Sequence, residues 1–123
     1  MKRYFLPLAF VLLLPIVGYA QTPAVKNPSG VSFTSPDHAV VTAYEVDVVT
    51  STGTVLTTIV TGRGTQAADG TVTLSLNTQP ITISTEFYTF RVRAVVGTIK
   101  SVDSPSSDPW ERAAGRPSKP VVQ

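Results

Sequence analysis

The chain has 123 residues with no cysteine, one histidine and one tryptophan, and ten basic side chains stand against eight acidic ones. Without cysteine it carries neither a disulfide framework nor a thiolate-bound metal, and one histidine leaves zinc short of ligands. The slight basic excess is no nucleic-acid signature, because it resides in Lys2 and Arg3; beyond residue 20, eight basic residues balance eight acidic ones.

Lys2 and Arg3 open a basic start, Tyr4 to Val17 is apolar, and Gly18-Tyr19-Ala20 supplies the small residues that a signal peptidase reads. This is the layout of a secretory signal peptide over residues 1–20. Its apolar run is shorter than the roughly 18 residues of a membrane span. The expected mature chain is Gln21 to Gln123, about the size of one sandwich domain, exported to the extracellular space or periplasm. No stable membrane anchor is expected once the signal is removed.

Residues 21–30, QTPAVKNPSG, hold two prolines and predict a leader or an irregular edge strand. Val31 to Thr34 predicts a short strand and Ser35-Pro36-Asp37 a turn. Ala39 to Val49 predicts the next strand, with Tyr44, Val46 and Val48 on one face and Glu45, Asp47 and Val49 on the other. After a compact loop closed by Gly53, Thr54 to Thr61 is β-branched and apolar on both faces. Such a strand is either covered twice or lies at an edge where it recruits a partner. Gly62 to Gly70 predicts a flexible loop, and Asp69-Gly70 launches Thr71 to Leu76 with Val72, Leu74 and Leu76 inward.

Glu86 to Val96 is the longest alternating run, placing Tyr88, Phe90, Val92, Ala94 and Val96 opposite Thr89, Arg91, Arg93 and Val95. Val96-Gly97-Thr98-Ile99 predicts a type II′ hairpin, and the last strand runs to about Val102. Beyond Ser104 to Pro109 and Trp110 to Arg112, residues 113–123 read as a Pro/Gly-containing tail. Six strands, with room for a seventh, predict an all-β antiparallel sandwich over residues 31–112 and no helix after the signal.

Several motifs occur in the order found in fibronectin type III domains. Phe33 takes the place of that family's second-strand tryptophan, and Tyr44-Glu45-Val46 matches its Y-x-V third strand. Leu76, Pro80 and Tyr88 follow its leucine–proline turn–tyrosine order with a longer spacer. Tyr88, Phe90, Val92 and Ala94 fit Y-x-F-x-V-x-A, and Ser104 to Pro109 is similar to its S-x-x-S-x-P ending. The resemblance implies an immunoglobulin-like sandwich whose corner tyrosine, Tyr88, bonds backbone upstream, with Phe90 where immunoglobulin domains place a cysteine. Its expected core comprises Phe33, Tyr44, Val46, Leu74, Leu76, Tyr88, Phe90 and Val92.

No nucleophile elbow, phosphate loop or paired-histidine motif occurs. His38 reads as a solvated loop residue beside the turn-former Asp37, so the expectation is a non-catalytic protein without cofactor or metal. Sandwich modules place recognition in loops at one end, which makes Asp37, His38, Arg63, Gln66 and Asp69 the candidate ligand-binding residues. Trp110 is a further candidate if its indole faces solvent, although packing over the open end is the plainer expectation. Arg91 and Arg93 are expected to pair with Glu45 and Asp47 across strands. These features imply a secreted module that binds an extracellular protein or polysaccharide. The alternative is a structural subunit that self-associates through Thr54 to Thr61; a hydrolase using His38 ranks third.

Overall fold

The computed structural model describes residues 24–123, and the expected signal peptide lies outside them. The described strands are, in chain order, β1 (Val25–Lys26), β2 (Gly30–Thr34), β3 (Ala43–Val49), β4 (Val55–Thr61), β5 (Thr65–Gln66), β6 (Thr71–Ser75), β7 (Phe87–Val96), β8 (Ile99–Lys100) and β9 (Trp110–Glu111). A 3-10 turn covers His38–Val40. The fold is all-β, as the alternating pattern predicts, and each of the six expected strands has its counterpart.

The larger sheet runs β1-β9-β7-β3-β4, with β8 also on β7, and the smaller runs β2-β6-β5. Pairing is antiparallel except for β1 on β9. Tyr44 faces Ala94, Val46 faces Val92 and Val48 faces Phe90 across β3 and β7, so both apolar faces coincide. Val72 and Leu74 of β6 cover them from the other sheet, and all these groups join one buried cluster with Val41, Leu76, Ile81, Tyr88 and Trp110. Each aliphatic side chain sealed there contributes about 1.5–3 kcal/mol relative to exposure. Phe33 packs edge-on against Tyr44 with ring centroids 5.0 Å apart, filling the position expected of it.

Three local differences from the expected elements have physical causes. The third strand begins at Ala43 rather than Ala39, because His38–Val40 closes a 3-10 turn with Val40 N–H donating to Asp37 O at 3.0 Å. The 62–70 loop contains β5, which pairs Thr65 and Gln66 with Thr73 and Val72. The leader contains β1, whose two residues add parallel to Trp110 and Glu111.

A further difference lies after β8. Beyond Lys100 the chain continues along β7, but with three residues for every two. Ser101, Ser104 and Ser107 donate their backbone N–H to the carbonyls of Ala94, Val92 and Phe90 at 2.8–2.9 Å. In return, the N–H groups of Ala94, Val92 and Phe90 donate to the hydroxyls of those same serines at 2.8–3.0 Å. Each hydroxyl donates onward to the carbonyl of the following residue at 2.9 Å. Trp110 against Tyr88 completes the series. Serine side chains thus stand in for strand carbonyls, a local competition these residues are suited to. Pro105 and Pro109, which have no N–H to give, fall between the bonded positions.

Candidate recognition surfaces

The strand directions bring three connections to one end of the sandwich: residues 35–42, residues 62–70 and the hairpin at Gly97-Thr98. Gly97 takes φ +64, the left-handed value that the first central position of a type II′ turn demands. The first and third connections are tied together. Thr42 N–H and Oγ1–H both donate to Val95 O, at 2.8 and 3.0 Å, and Gly97 N–H donates to Thr42 Oγ1 at 3.0 Å.

Of the candidate ligand-binding residues, several are occupied with holding this end in shape. His38 is buried instead of solvated, and its Nδ1 shares a 2.8 Å hydrogen bond with the Tyr44 hydroxyl while the two rings stack. The 3-10 turn is the cause, since it points the imidazole inward. Arg63 reaches across from the second connection, donating from Nη2 to His38 O at 2.7 Å and from Nε to Val41 O at 2.8 Å. Gln66 donates to Gly70 O and so serves its own turn. Asp69 accepts the Thr71 N–H at 2.9 Å, a bond that holds its carboxyl below the usual carboxylate range. Asp37 is exposed.

What this end presents to solvent is more apolar than its sequence implies. Val40, Val96 and Ile99 are all exposed there, Ile99 at 72%. The β-alternation assigns Val96 to the core face, but β7 ends at that residue and its side chain stays exposed.

Trp110 lies at the opposite end and is only 3% exposed. Its indole stacks on Phe90 at 4.8 Å and tilts against Tyr88 at 5.2 Å, so it offers no platform to a ligand. Tyr88 donates its hydroxyl to Thr82 O at 3.2 Å, the upstream backbone bond expected of a corner tyrosine. Arg112 beside it is buried, with Nε on Ile81 O and Nη2 on Gln79 O, both at 2.9 Å, and Nη1 on Asn27 Oδ1 at 3.2 Å and on Ala113 O. Nothing in the sequence around Arg112 marks it as internal.

The outer face of the larger sheet carries an ion network. Glu45 faces Arg93 and Asp47 faces Arg91 in register, as expected. Arg93, however, takes both acids, through Nε to Glu45 at 2.7 Å and Nη1 to Asp47 at 2.8 Å, and reaches Asp103 as well. The Arg93 guanidinium, followed by Lys100, holds Glu45 below the usual carboxylate range; Arg93 and the Thr58 hydroxyl do the same for Asp47. The acids in turn raise Arg93 above its ordinary value.

The Thr54 to Thr61 stretch, apolar on both faces, resolves as an edge: β4 pairs only with β3 and ends the larger sheet. A bulge opposite Val48 and Val49 leaves Leu56 outside the pairing. Val55, Leu56 and Val60 are 44, 46 and 68% exposed. A groove lined by Leu56, Ile59, Pro80 and Ile81 runs beside this edge.

Among the described residues, no three histidine, cysteine or acidic side chains gather where a metal ion would be held, and no helix is long and apolar enough to cross a membrane. No family model matches this chain, and neither a curated protein nor a solved structure is similar to it.

Proposed function

We propose that this chain is an exported, non-catalytic, fibronectin type III-like module that binds a macromolecule outside the cell through the end carrying residues 35–42, 62–70 and 97–98. The observation that carries the reading is the exposure of Val40, Val96 and Ile99 together on that end, over a base fastened by Arg63 and Thr42. Apolar groups on a preformed rigid surface lower the ordering cost of association. The family assignment is supported by the core-facing Tyr88, Phe90 and Val92 and by the Tyr88 corner bond; export is supported by the layout of residues 1–20. Of the two expected ligand classes, protein is favoured over polysaccharide. Sugar rings stack on exposed aromatic faces, and Trp110 is buried, leaving Phe87, at the far end, as the exposed large aromatic among the described residues.

The test compares capture of proteins from the native extracellular fraction by the wild-type domain and by a Val40→Asp/Ile99→Asp variant. A protein retained by the wild type and lost by the folded variant supports the reading. Equal retention by both overturns it.

A further inference from the structure

We propose that residues 119–123 of one copy of this chain add as an antiparallel strand to the free edge of β2 in another copy, with Val121 opposite Ser32. β2 pairs on one side only, with β6. That register is unbroken, and Leu76 N–H donates to Ser29 O at 2.9 Å. Ser29 is therefore a bonded position on the β6 side, and so are Val31 and Phe33, two and four residues on. The backbone groups of Gly30, Ser32 and Thr34 point the other way, to the free edge. Side-chain facing is equally fixed. Val31 and Phe33 lie opposite buried Leu74 and Val72 and pack against the core, while the Ser32 hydroxyl meets that of Thr73 at 3.2 Å on the outer face. Between this edge and the serine segment of the other sheet runs a groove lined by Val31, Phe33, Phe90, Val92 and Pro105. Free backbone groups beside an apolar groove are what an added strand requires. The other edges are less suited, since β1 and β5 are two residues long and a bulge interrupts β4.

The occupant is the tail of a second copy. Residues 114–123 are all exposed, Val121 at 79% and Val122 at 95%, so the chain carries an unburied apolar pair as well as an open apolar groove. The prolines select the register. A proline fits an edge strand only where its nitrogen faces away from the neighbour. Shifting the tail by one residue sets Pro120 against Ser32 or Thr34, both of which need an N–H, and sliding it two residues toward Gly30 sets Pro117 against Thr34. With Val121 opposite Ser32, Lys119 and Gln123 bond to Thr34 and Gly30 through their backbones, and Pro120 falls opposite Phe33, where no N–H is needed. Pro120 and Val122 then face inward beside Phe33 and Val31, and Lys119, Val121 and Gln123 face solvent. Beyond Thr34 the chain of β2 turns, and Arg116 arrives at the exposed carboxylate of Asp37, so the charges complement each other. A chain cannot make this contact with its own tail. Ala113 N–H is held by Asn27 Oδ1 at 2.9 Å, three residues before β2, and lies six steps from Lys119. Passing β2 from Gly30 to Thr34 takes four of those steps, about 13 Å, and the two left are too few for the turn that would reverse the chain. The contact joins different surfaces of the two copies, so it repeats from copy to copy.

The cysteine-free chain suits a cross-linking test. In this register residues 32 and 121 of the two copies are a bonded pair about 5.5 Å apart at Cα, on one face and within disulfide reach, whereas residue 122 points to the other face. Ser32→Cys is mixed under mild oxidation with Val121→Cys or with Val122→Cys, each in the chain from Gln21 onward, which contains every described residue. All three positions are exposed, so the fold is expected to tolerate the changes. The heterodimer is expected to form at least tenfold faster from 32 and 121 than from 32 and 122. Light scattering on the unmodified chain is expected to show association between roughly micromolar and millimolar protein, the range of a small contact. Val122→Asp, which would carry a charge into the apolar groove, is expected to weaken that association tenfold or more. A monomer throughout, including one whose groove holds its own tail, overturns the proposal. So does association indifferent to Val122→Asp, the result if another segment fills the groove, and so does equal cross-linking at 121 and 122. None of these variants alters Val40, Val96 or Ile99, so failure here is distinct from failure of the recognition reading.

Discussion

The larger sheet has two long sides, and both are built from hydroxyl-rich sequence. On one side the 101–110 segment lies against β7, and every third residue bonds it twice. On the other, β4 exposes its backbone to solvent. The difference lies in side-chain shape and spacing. Threonine is stiff at χ1 and favours an extended, period-two strand, so the Thr57-Thr58 pair builds a ladder on one flank and leaves the other bare. Unbranched serine, spaced by three and interrupted by Pro105 and Pro109, cannot keep an ordinary ladder and closes the bonds with its own oxygen. A hydroxyl-rich edge is therefore sealed or open according to whether its hydroxyls bond the neighbouring backbone.

The sealed side is where substitutions should cost most. Trp110→Ala removes the indole that caps Phe90 and Tyr88 and is expected to destabilise the fold by about 3–5 kcal/mol in urea titrations. A loss below ~1 kcal/mol would show that the indole does not hold this side closed. Arg112→Met frees the buried carbonyl of Ile81 together with that of Gln79 and should cost about 2 kcal/mol, read as a lower thermal midpoint. Next comes Ser104→Ala, which deprives the Val92 N–H of its acceptor. It should cost ~1–3 kcal/mol, whereas Ser106→Ala, at an exposed position between the bonded serines, should stay within ~0.5 kcal/mol. Equal effects of the two serines would break the distinction between bonding and spacing positions.

The face between the two sides gives a pH signature. Glu45 and Asp47 have depressed folded-state values, so their pairing with Arg93 stabilises the fold above the unfolded carboxyl range and is lost as pH falls through the folded values. The thermal midpoint is expected to drop below about pH 4, where unfolded carboxylates begin to take up protons. Arg93→Met should flatten that drop; an unchanged acid limb would remove the network from the account. Smallest of all is the effect expected on the open side, where Val60→Lys, at an exposed position, should leave stability within ~0.5 kcal/mol in urea titrations.

The sequence made the strands legible where one physical rule acted alone. The alternation from Tyr88 onward placed β7 to within a residue, and Val72, Leu74 and Leu76 all face the core as expected. The double-faced apolar pattern of Thr54 to Thr61 narrowed β4 to two places, and the topology selected the edge. Other features required partners distant in sequence. His38 reads as a solvated turn residue because nothing near it announces that the hydroxyl of Tyr44, six residues on, will receive its ring. Asn27 sits in a proline-rich leader, yet it accepts from Arg112 and from the Ala113 N–H. The serine repeat was visible as spacing, but its meaning depends on the Phe90, Val92 and Ala94 amides opposite. At the loop end, Arg63 and His38 are engaged in internal hydrogen bonds that no local pattern announces, and Val40 and Ile99 are the exposed groups.

The three-for-two register also stores length. Nine residue steps from Ser101 to Trp110 lie against only six, from Ala94 to Tyr88. Those six span about 20 Å, while nine drawn straight span about 30 Å. A chain pulled between its Gly97-Thr98 end and its tail can yield roughly 10 Å by surrendering serine bonds one at a time. The sandwich core need not open for this to happen, so the segment would act as a graded mechanical fuse. In single-molecule stretching, Ser104→Ala is expected to lower the force at which that length is released.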